Sequence, residues 1–137
     1  MNNLLLDTCA VIWIGSDQVL KPEAVKAMDD AFDHGRPVSV SPYSAWELGV
    51  LVSKSRINFP QPVEKWFGNF MQLSGTILAD LTPEVFVASS FLPGSIHKDP
   101  ADRIIIATAR EYGMTILTRD QKILDYADQG HVNALRC

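Results

Sequence analysis

The chain is expected to adopt an α/β fold around a short, mainly parallel central sheet. Short apolar runs of strand length alternate with amphipathic helical stretches, the order that builds βα units. The runs at 4–6, 38–40 and 115–118 are rich in Leu, Val and Ile, as strands covered on both faces tend to be. Several helical stretches open on a proline, at Pro22, Pro42, Pro83 and Pro100, where the missing N–H costs nothing.

In chain order, residues 4–6 (Leu-Leu-Leu) read as a first strand and 8–14 as a helix behind it. Residues 22–34 form an amphipathic helix closed by Gly35. A second strand falls at 38–40, followed by a helix from Ser41-Pro42 to about Ser55. Pro60 and Pro62 interrupt the chain before a helix at 63–73. Residues 76–81 read as a third strand. Thr82-Pro83-Glu84 supplies an N-cap, a first-position proline and a first-turn acid for a helix reaching about Phe91. After the loop at 92–95, Asp99-Pro100 opens a helix that ends at Tyr112-Gly113. A strand at 115–118, a helix at 121–127 and a strand at 132–135 complete the chain.

A length of 137 residues suits one domain, taken as 1–137, and buries enough surface to fold without disulfides. The net charge of −4 is not the basic balance of a protein held on nucleic acid by its whole surface. Metal-binding carboxylates would themselves inflate the acidic count. Cys9 and Cys137 form no disulfide framework. Residues 1–7 have neither the cationic region nor the apolar length of a secretory signal, and no run approaches the ~18 apolar residues of a membrane helix. A cytoplasmic protein with no membrane association is expected.

Four acids lie beside apolar segments. Asp7 ends Leu4-Leu5-Leu6, Glu47 interrupts Trp46-Glu47-Leu48-Gly49-Val50-Leu51, Asp102 precedes Ile104-Ile105-Ile106, and Asp120 follows Thr115-Ile116-Leu117-Thr118. Carboxylates are rarely buried unless paired or metal-bound. Each also has a plainer reading. Asp7 and Asp120 precede helices and can cap them. Asp102 sits in a first helical turn, where the dipole favours an acid. Glu47 can snorkel from the edge of a helical stripe, although its neighbours Tyr43, Ser44, Val50 and Leu51 are mostly apolar. Asp99 is better explained as the cap before Pro100. Asp7 and Asp120 fall at carboxyl ends of strands, where α/β sheets bind ligands.

The motifs Leu-Leu-Asp7-Thr8, Trp46-Glu47-Leu48, Asp102-Arg-Ile-Ile-Ile-Ala-Thr-Ala and Leu-Thr-Arg-Asp120 resemble, in order, the four acidic motifs of the PIN domain. The segment Asp99-Pro-Ala-Asp102-Arg103 is similar to the third motif of the VapC toxin ribonucleases. The resemblance covers nearly the whole chain. It implies a three-layer α/β/α fold and an Mg²⁺- or Mn²⁺-dependent endoribonuclease, the toxin of a toxin–antitoxin pair. In that reading Asp7, Glu47, Asp102 and Asp120 hold the metal and Asp99 is a less favoured fifth acid. The implied partners are substrate RNA, a cognate antitoxin and a second copy of the chain. An all-oxygen carboxylate set suits those ions, which activate water and orient a phosphodiester. Thr8, Thr118, Arg103, Arg119 and Lys98 are candidate substrate contacts, against the simpler reading of each as a solvated or backbone-bonded polar group.

The competing readings are an inactive PIN-like binding module and another metal-dependent phosphoesterase. A haloacid-type phosphatase needs a second Asp where Cys9 stands, and a phosphoreceiver domain needs paired acids near its start. Zinc chemistry is disfavoured because His34, His97 and His131 are scattered along the chain. Trp13, Trp46, Trp66, Phe67 and Phe70 lie in helical stretches and are read first as core, with some available to a partner surface.

Overall fold

The computed structural model describes residues 3–137; Met1 and Asn2, part of the start read above as carrying no secretory signal, lie outside them. The elements run β1 (Asn3–Leu6), α1 (Thr8–Gly15), α2 (Pro22–Asp33), β2 (Val38–Val40), α3 (Pro42–Ser53), α4 (Val63–Ser74), β3 (Ile77–Leu78), α5 (Pro83–Ala88), α6 (Pro100–Tyr112), β4 (Met114–Thr118), α7 (Gln121–Asp128) and β5 (Asn133–Arg136). The five strands form one sheet in the order β3-β2-β1-β4-β5, and every pairing is parallel.

Alternation along the strands divides the interior in two. Leu4, Leu6, Val38, Val40 and Leu117 pack with Val11, Ala24, Leu48, Trp66 and Phe70 from the first four helices. Leu5, Met114 and Ile116 point the other way, onto Ile105, Ile106, Ala109, Ile123 and Tyr126 from α6 and α7. The result is an α/β/α sandwich with a largely apolar sheet between helices, consistent with the apolar runs of the strands.

Register sets up the site. Leu6 lies level with Val40 of β2 and with Leu117 of β4, so the carboxyl ends of the three central strands finish together. The chain runs outward from β1 to β2 and β3, then crosses back to β4 and β5 on the other side. The seam between β1 and β4 is therefore the reversal point, where open α/β sheets bind ligands.

The caps expected at Thr82 and Asp99 form, and Ser41 caps α3. Ser41 Oγ accepts from the Tyr43 amide, Thr82 Oγ1 from Val85 and Asp99 Oδ1 from Ala101. Gly113 ends α6 at φ 64°, a left-handed turn that favours glycine. Three elements are shorter than expected. Of residues 76–81 only Ile77 and Leu78 pair, on an edge strand where both side chains stay half exposed. The helix after Thr82 stops at Ala88; the Ser89 carbonyl, for which Pro93 has no N–H to give, accepts from Arg103. The helix expected to reach Ser55 ends at Ser53, with Ser55 itself at φ 56°. The last strand lies one residue later than expected.

The aromatic residues divide. Trp66 is buried and stacks on Phe59 and Phe70, with centroids 4.1 and 5.8 Å away. Trp46 departs from the core reading and is 60% exposed. Gly15 closes α1 against this stack: a Cβ there would lie 2.5 Å from the Trp66 ring. Because Trp66 is buried and stacked on Phe59 and Phe70, Gly15→Ala is expected to lower stability by about 1–3 kcal/mol despite alanine's better helix propensity. Urea unfolding followed by tryptophan fluorescence measures it; an unchanged or raised midpoint would show that the ring can move.

Candidate functional site

The first acid is placed by β1. The Asp7 amide continues the ladder onto the Leu117 carbonyl at 3.0 Å, which brings its side chain over the β1–β4 seam. Asp7 occupies the N-cap position of α1 but makes no capping bond. Its Oδ2 instead accepts the Thr118 hydroxyl at 2.5 Å and the Cys9 thiol at 3.4 Å. The capping reading therefore fails for this residue. Burial, at 7% exposure, raises its carboxyl above the ordinary 3.8. The Thr118 and Cys9 bonds oppose that shift, and the charge of Asp120 adds to it. Burial and the Asp7 charge push the Cys9 thiol up to about 12, so Cys9 serves as a proton donor rather than a thiolate.

Thr118, the last residue of β4, links two acids. Its Oγ1 gives its proton to Asp7 and accepts the Asp120 amide at 3.0 Å. Asp120 then caps α7 through Oδ1, which accepts from the Lys122 amide at 2.8 Å. For this acid, capping and a place in the cleft are compatible, because one oxygen makes the bond.

Glu47 comes from the middle of α3. Its Oε1 accepts the Thr8 hydroxyl at 2.6 Å, and Thr8 Oγ1 lies 2.8 Å from Ser44 Oγ. Thr8 has one proton and it goes to Glu47, so Ser44 is the donor of that pair. Burial is the main cause of the raised Glu47 carboxyl, with the charges of Asp7 and Asp99 adding to it against the Thr8 bond.

Asp102 lies in the first turn of α6. Its carboxyl is pushed up to about 8, first by burial and then by the charges of Asp120, Asp99, Asp7 and Glu47. Five acids from four separated segments thus share one electrostatic environment. Asp99, read as a cap, does cap α6 and also lines the same cleft as the other four.

The cations behave differently from expectation. Arg119 is the one Lys or Arg lining this cleft among the described residues. Its guanidinium donates to the Cys137 and Val19 carbonyls at 3.0 Å and sits 3.6 Å over the Trp13 ring. Arg103 does not line the cleft. It donates to the carbonyls of Ser89, Ile96 and His97 at 2.9, 3.3 and 3.4 Å, so it holds the loop before α6. Lys98 is exposed and also outside the lining.

One residue at the site was missed. His97 reads as one of three scattered histidines, yet its Nε2 lies 2.9 Å from Asp102 Oδ2. That nitrogen is buried and has no hydrogen bond, the contact being out of line. His97, Asp99 and Asp102 present ligand atoms within 4.8 Å of one another. The only signal in the sequence is proximity to Asp99, and the loop reversal that turns the ring inward has no periodicity to announce it. His34 and His131 do not join the group.

These residues fit a hard divalent cation. The donors are carboxylate oxygens, their charges are mutually unfavourable, and the single lining guanidinium is turned to carbonyls and an aromatic face. Such a cation would remove the repulsion that raises the Asp102 carboxyl.

The shift has a consequence for stability. The folded protein holds the Asp102 proton up to about pH 8, whereas the unfolded chain releases it near 3.8. Between those values the folded state binds more protons, so stability falls as pH rises. In chelator, the protein is expected to lose on the order of a few kcal/mol from pH 5 to pH 8, and Asp102→Asn to flatten the slope. Urea midpoints across that range decide it; stability that rises toward pH 8 would contradict the shift.

The PIN domain family model matches residues 4–129. Ribonuclease VapC22 of Mycobacterium tuberculosis (strain ATCC 25618 / H37Rv) is 32% identical over 124 residues, covering 90% of this chain and 91% of that protein. Among solved structures, VapBC2 from Rickettsia felis bound to a promoter DNA fragment superimposes with a TM-score of 0.65 at 14% identity, over 97% of each chain. A toxin–antitoxin complex from Klebsiella pneumoniae matches with a TM-score of 0.57 at 22% identity, over 88% of each chain.

Proposed function

The chain belongs to the PIN domain family, and on that premise we propose that it is a divalent-metal-dependent endoribonuclease, the toxin of a toxin–antitoxin pair. The observation that carries the reading is the convergence of Asp7, Glu47, Asp99, Asp102 and Asp120 on one cleft at the carboxyl edge of the sheet. The similarity to a protein named as a ribonuclease supports the substrate class.

In this reading Asp7, Glu47 and Asp102 are direct metal ligands, and Asp120 holds a second ion or the attacking water. Mg²⁺ or Mn²⁺, when bound, would lower the pKa of water and neutralise charge on the phosphodiester. The chain's own part is orientation. Thr118 and Cys9 fix Oδ2 of Asp7. Thr8, itself held by Ser44, does the same for Oε1 of Glu47. The two hydroxyls are thus assigned to orienting acids in place of the substrate contacts the sequence allowed. The α6 N-terminus beside Asp102 favours negative charge there, including that of a backbone phosphate. Arg119 remains a candidate substrate contact because it lines the cleft.

The reading takes residues 1–137 as one domain acting in the cytoplasm. Among the described residues no helix is long and apolar enough to cross a membrane. An antitoxin that inserts a basic side chain into the acidic cleft would suit its charge. Exposed Trp46 is a candidate for a dimer or antitoxin contact. Light scattering tests the dimer, and a strict monomer at every concentration would remove it.

Asp7→Asn is expected to reduce Mg²⁺- or Mn²⁺-dependent cleavage of cellular RNA by roughly 10²-fold or more, beyond the scale of lost outer-shell partners. It should also abolish the Mn²⁺-induced rise in Tm that ligand binding produces. Equal cleavage by parent and variant would overturn the nuclease reading, and a parent with no Mn²⁺ stabilisation would favour an inactive binding module. Thr118→Val is expected to keep the fold while lowering apparent Mn²⁺ affinity by about 10–100-fold. Calorimetric titration measures this, and unchanged affinity would show that Asp7 needs no such support.

A further inference from the structure

We propose that His97 is a positioning residue for Asp102, held in the tautomer that keeps its Nε2 proton beside the Asp102 carboxylate. The inference rests on the metal-dependent reading above for its consequence, but its geometry stands apart from it. The Asp99 amide donates to His97 Nδ1 at 3.3 Å. A backbone N–H can only donate, so Nδ1 is the accepting nitrogen and a neutral ring carries its proton on Nε2. That nitrogen is buried, has no hydrogen-bond partner, and lies 2.9 Å from Asp102 Oδ2 with its N–H out of line, so a turn of the ring would bring the proton onto the carboxylate.

The same tautomer decides between two roles. His97, Asp99 and Asp102 are spaced as a metal-binding trio could be, and an imidazole ligand would add a nitrogen to the oxygen set. Coordination through Nε2 requires its lone pair, hence a proton on Nδ1. That proton would oppose the Asp99 N–H, two donors face to face. The hydrogen bond from Asp99 therefore argues for a proton on Nε2, beside Asp102 Oδ2, and against coordination through that nitrogen. Ligating carboxylates commonly rely on such outer partners.

The ring is well placed to act this way. Arg103, the residue after Asp102, donates to the carbonyls of His97 and Ile96 and to that of Ser89. The loop carrying the imidazole and the helical turn carrying the carboxylate are tied by one guanidinium. Asp99 contributes twice, its amide to Nδ1 and its carboxylate to the cap of α6.

The test compares the parent with His97→Gln, which keeps a terminal N–H donor, and His97→Phe, which keeps ring volume and loses it. Mn²⁺ affinity, read by EPR of the free ion, is expected to fall about 10–100-fold in the Phe variant and to recover to within a few-fold of the parent in the Gln variant. Metal-free Tm values identify any variant that fails to fold. Long-range ¹H–¹⁵N NMR of the parent, at a pH where the ring is neutral, should find the proton on Nε2. Pulsed EPR of bound Mn²⁺ should show no directly coupled His97 nitrogen. A proton on Nδ1, or a nitrogen coupling that disappears in His97→Phe, would make His97 a ligand and overturn the proposal. A folded Gln variant as weak as Phe, or a Phe variant as tight as the parent, would overturn it too. If the parent binds no Mn²⁺, the metal reading fails, while the NMR tautomer still decides the geometry.

Discussion

Thr118 Oγ1 gives its proton to Asp7 Oδ2 across 2.5 Å while accepting the amide of Asp120. That one hydroxyl spans the seam between the two central strands and ties the first acid of the chain to the last. It can do so only because Leu6 and Leu117 are level in a parallel register. A slip of one residue would turn Asp7 to the other side of the sheet. The Leu4/Leu6 and Leu5 faces, buried in opposite cores, forbid that slip. Apolar packing on two sides therefore holds a polar contact at the edge.

The arrangement is electrostatically costly. Asp7, Glu47 and Asp102 all hold protons more tightly than free carboxyls, with burial as the first cause in each case. Hydroxyl and thiol donors soften this for Asp7, and Thr8 does so for Glu47. Asp102 has the out-of-line His97 nitrogen nearby and is pushed up to about 8. A scaffold that tolerates such crowding in place of replacing it with apolar residues is behaving as functional sites do. The cost is met by the rest of the fold, where the two cores contain few polar groups.

The start of α6 shows how one local motif serves several ends. Pro100 and the Asp99 cap fix where the helix begins. That fixes Asp102 in the first turn and Arg103 behind it. Arg103 then draws the preceding loop onto the helix through three carbonyls, and His97 arrives beside Asp102 as a result. Arg119 does comparable work at the other end of the cleft, anchoring the Cys137 and Val19 carbonyls while covering Trp13. Both arginines lie next to an acid in sequence, and both act mainly on backbone.

The alternation of strands and helices, the caps at Ser41, Thr82 and Asp99, and the four acids beside apolar runs could all be read from the chain, because periodicity and capping are local properties. Even the carboxyl-end placement of Asp7 and Asp120 followed from short-range pattern. Those features determined the fold class and the candidate acids. The tertiary structure alone decided which plain readings survived: Asp7 does not cap, Asp120 and Asp99 cap and still line the cleft, and Arg103 faces carbonyls. It also supplied the partners Thr118, Thr8, Ser44 and His97. A hydrogen bond between residues 7 and 118, or a histidine turned inward by a loop, depends on strand order and register, and these arise from contacts between segments far apart in sequence.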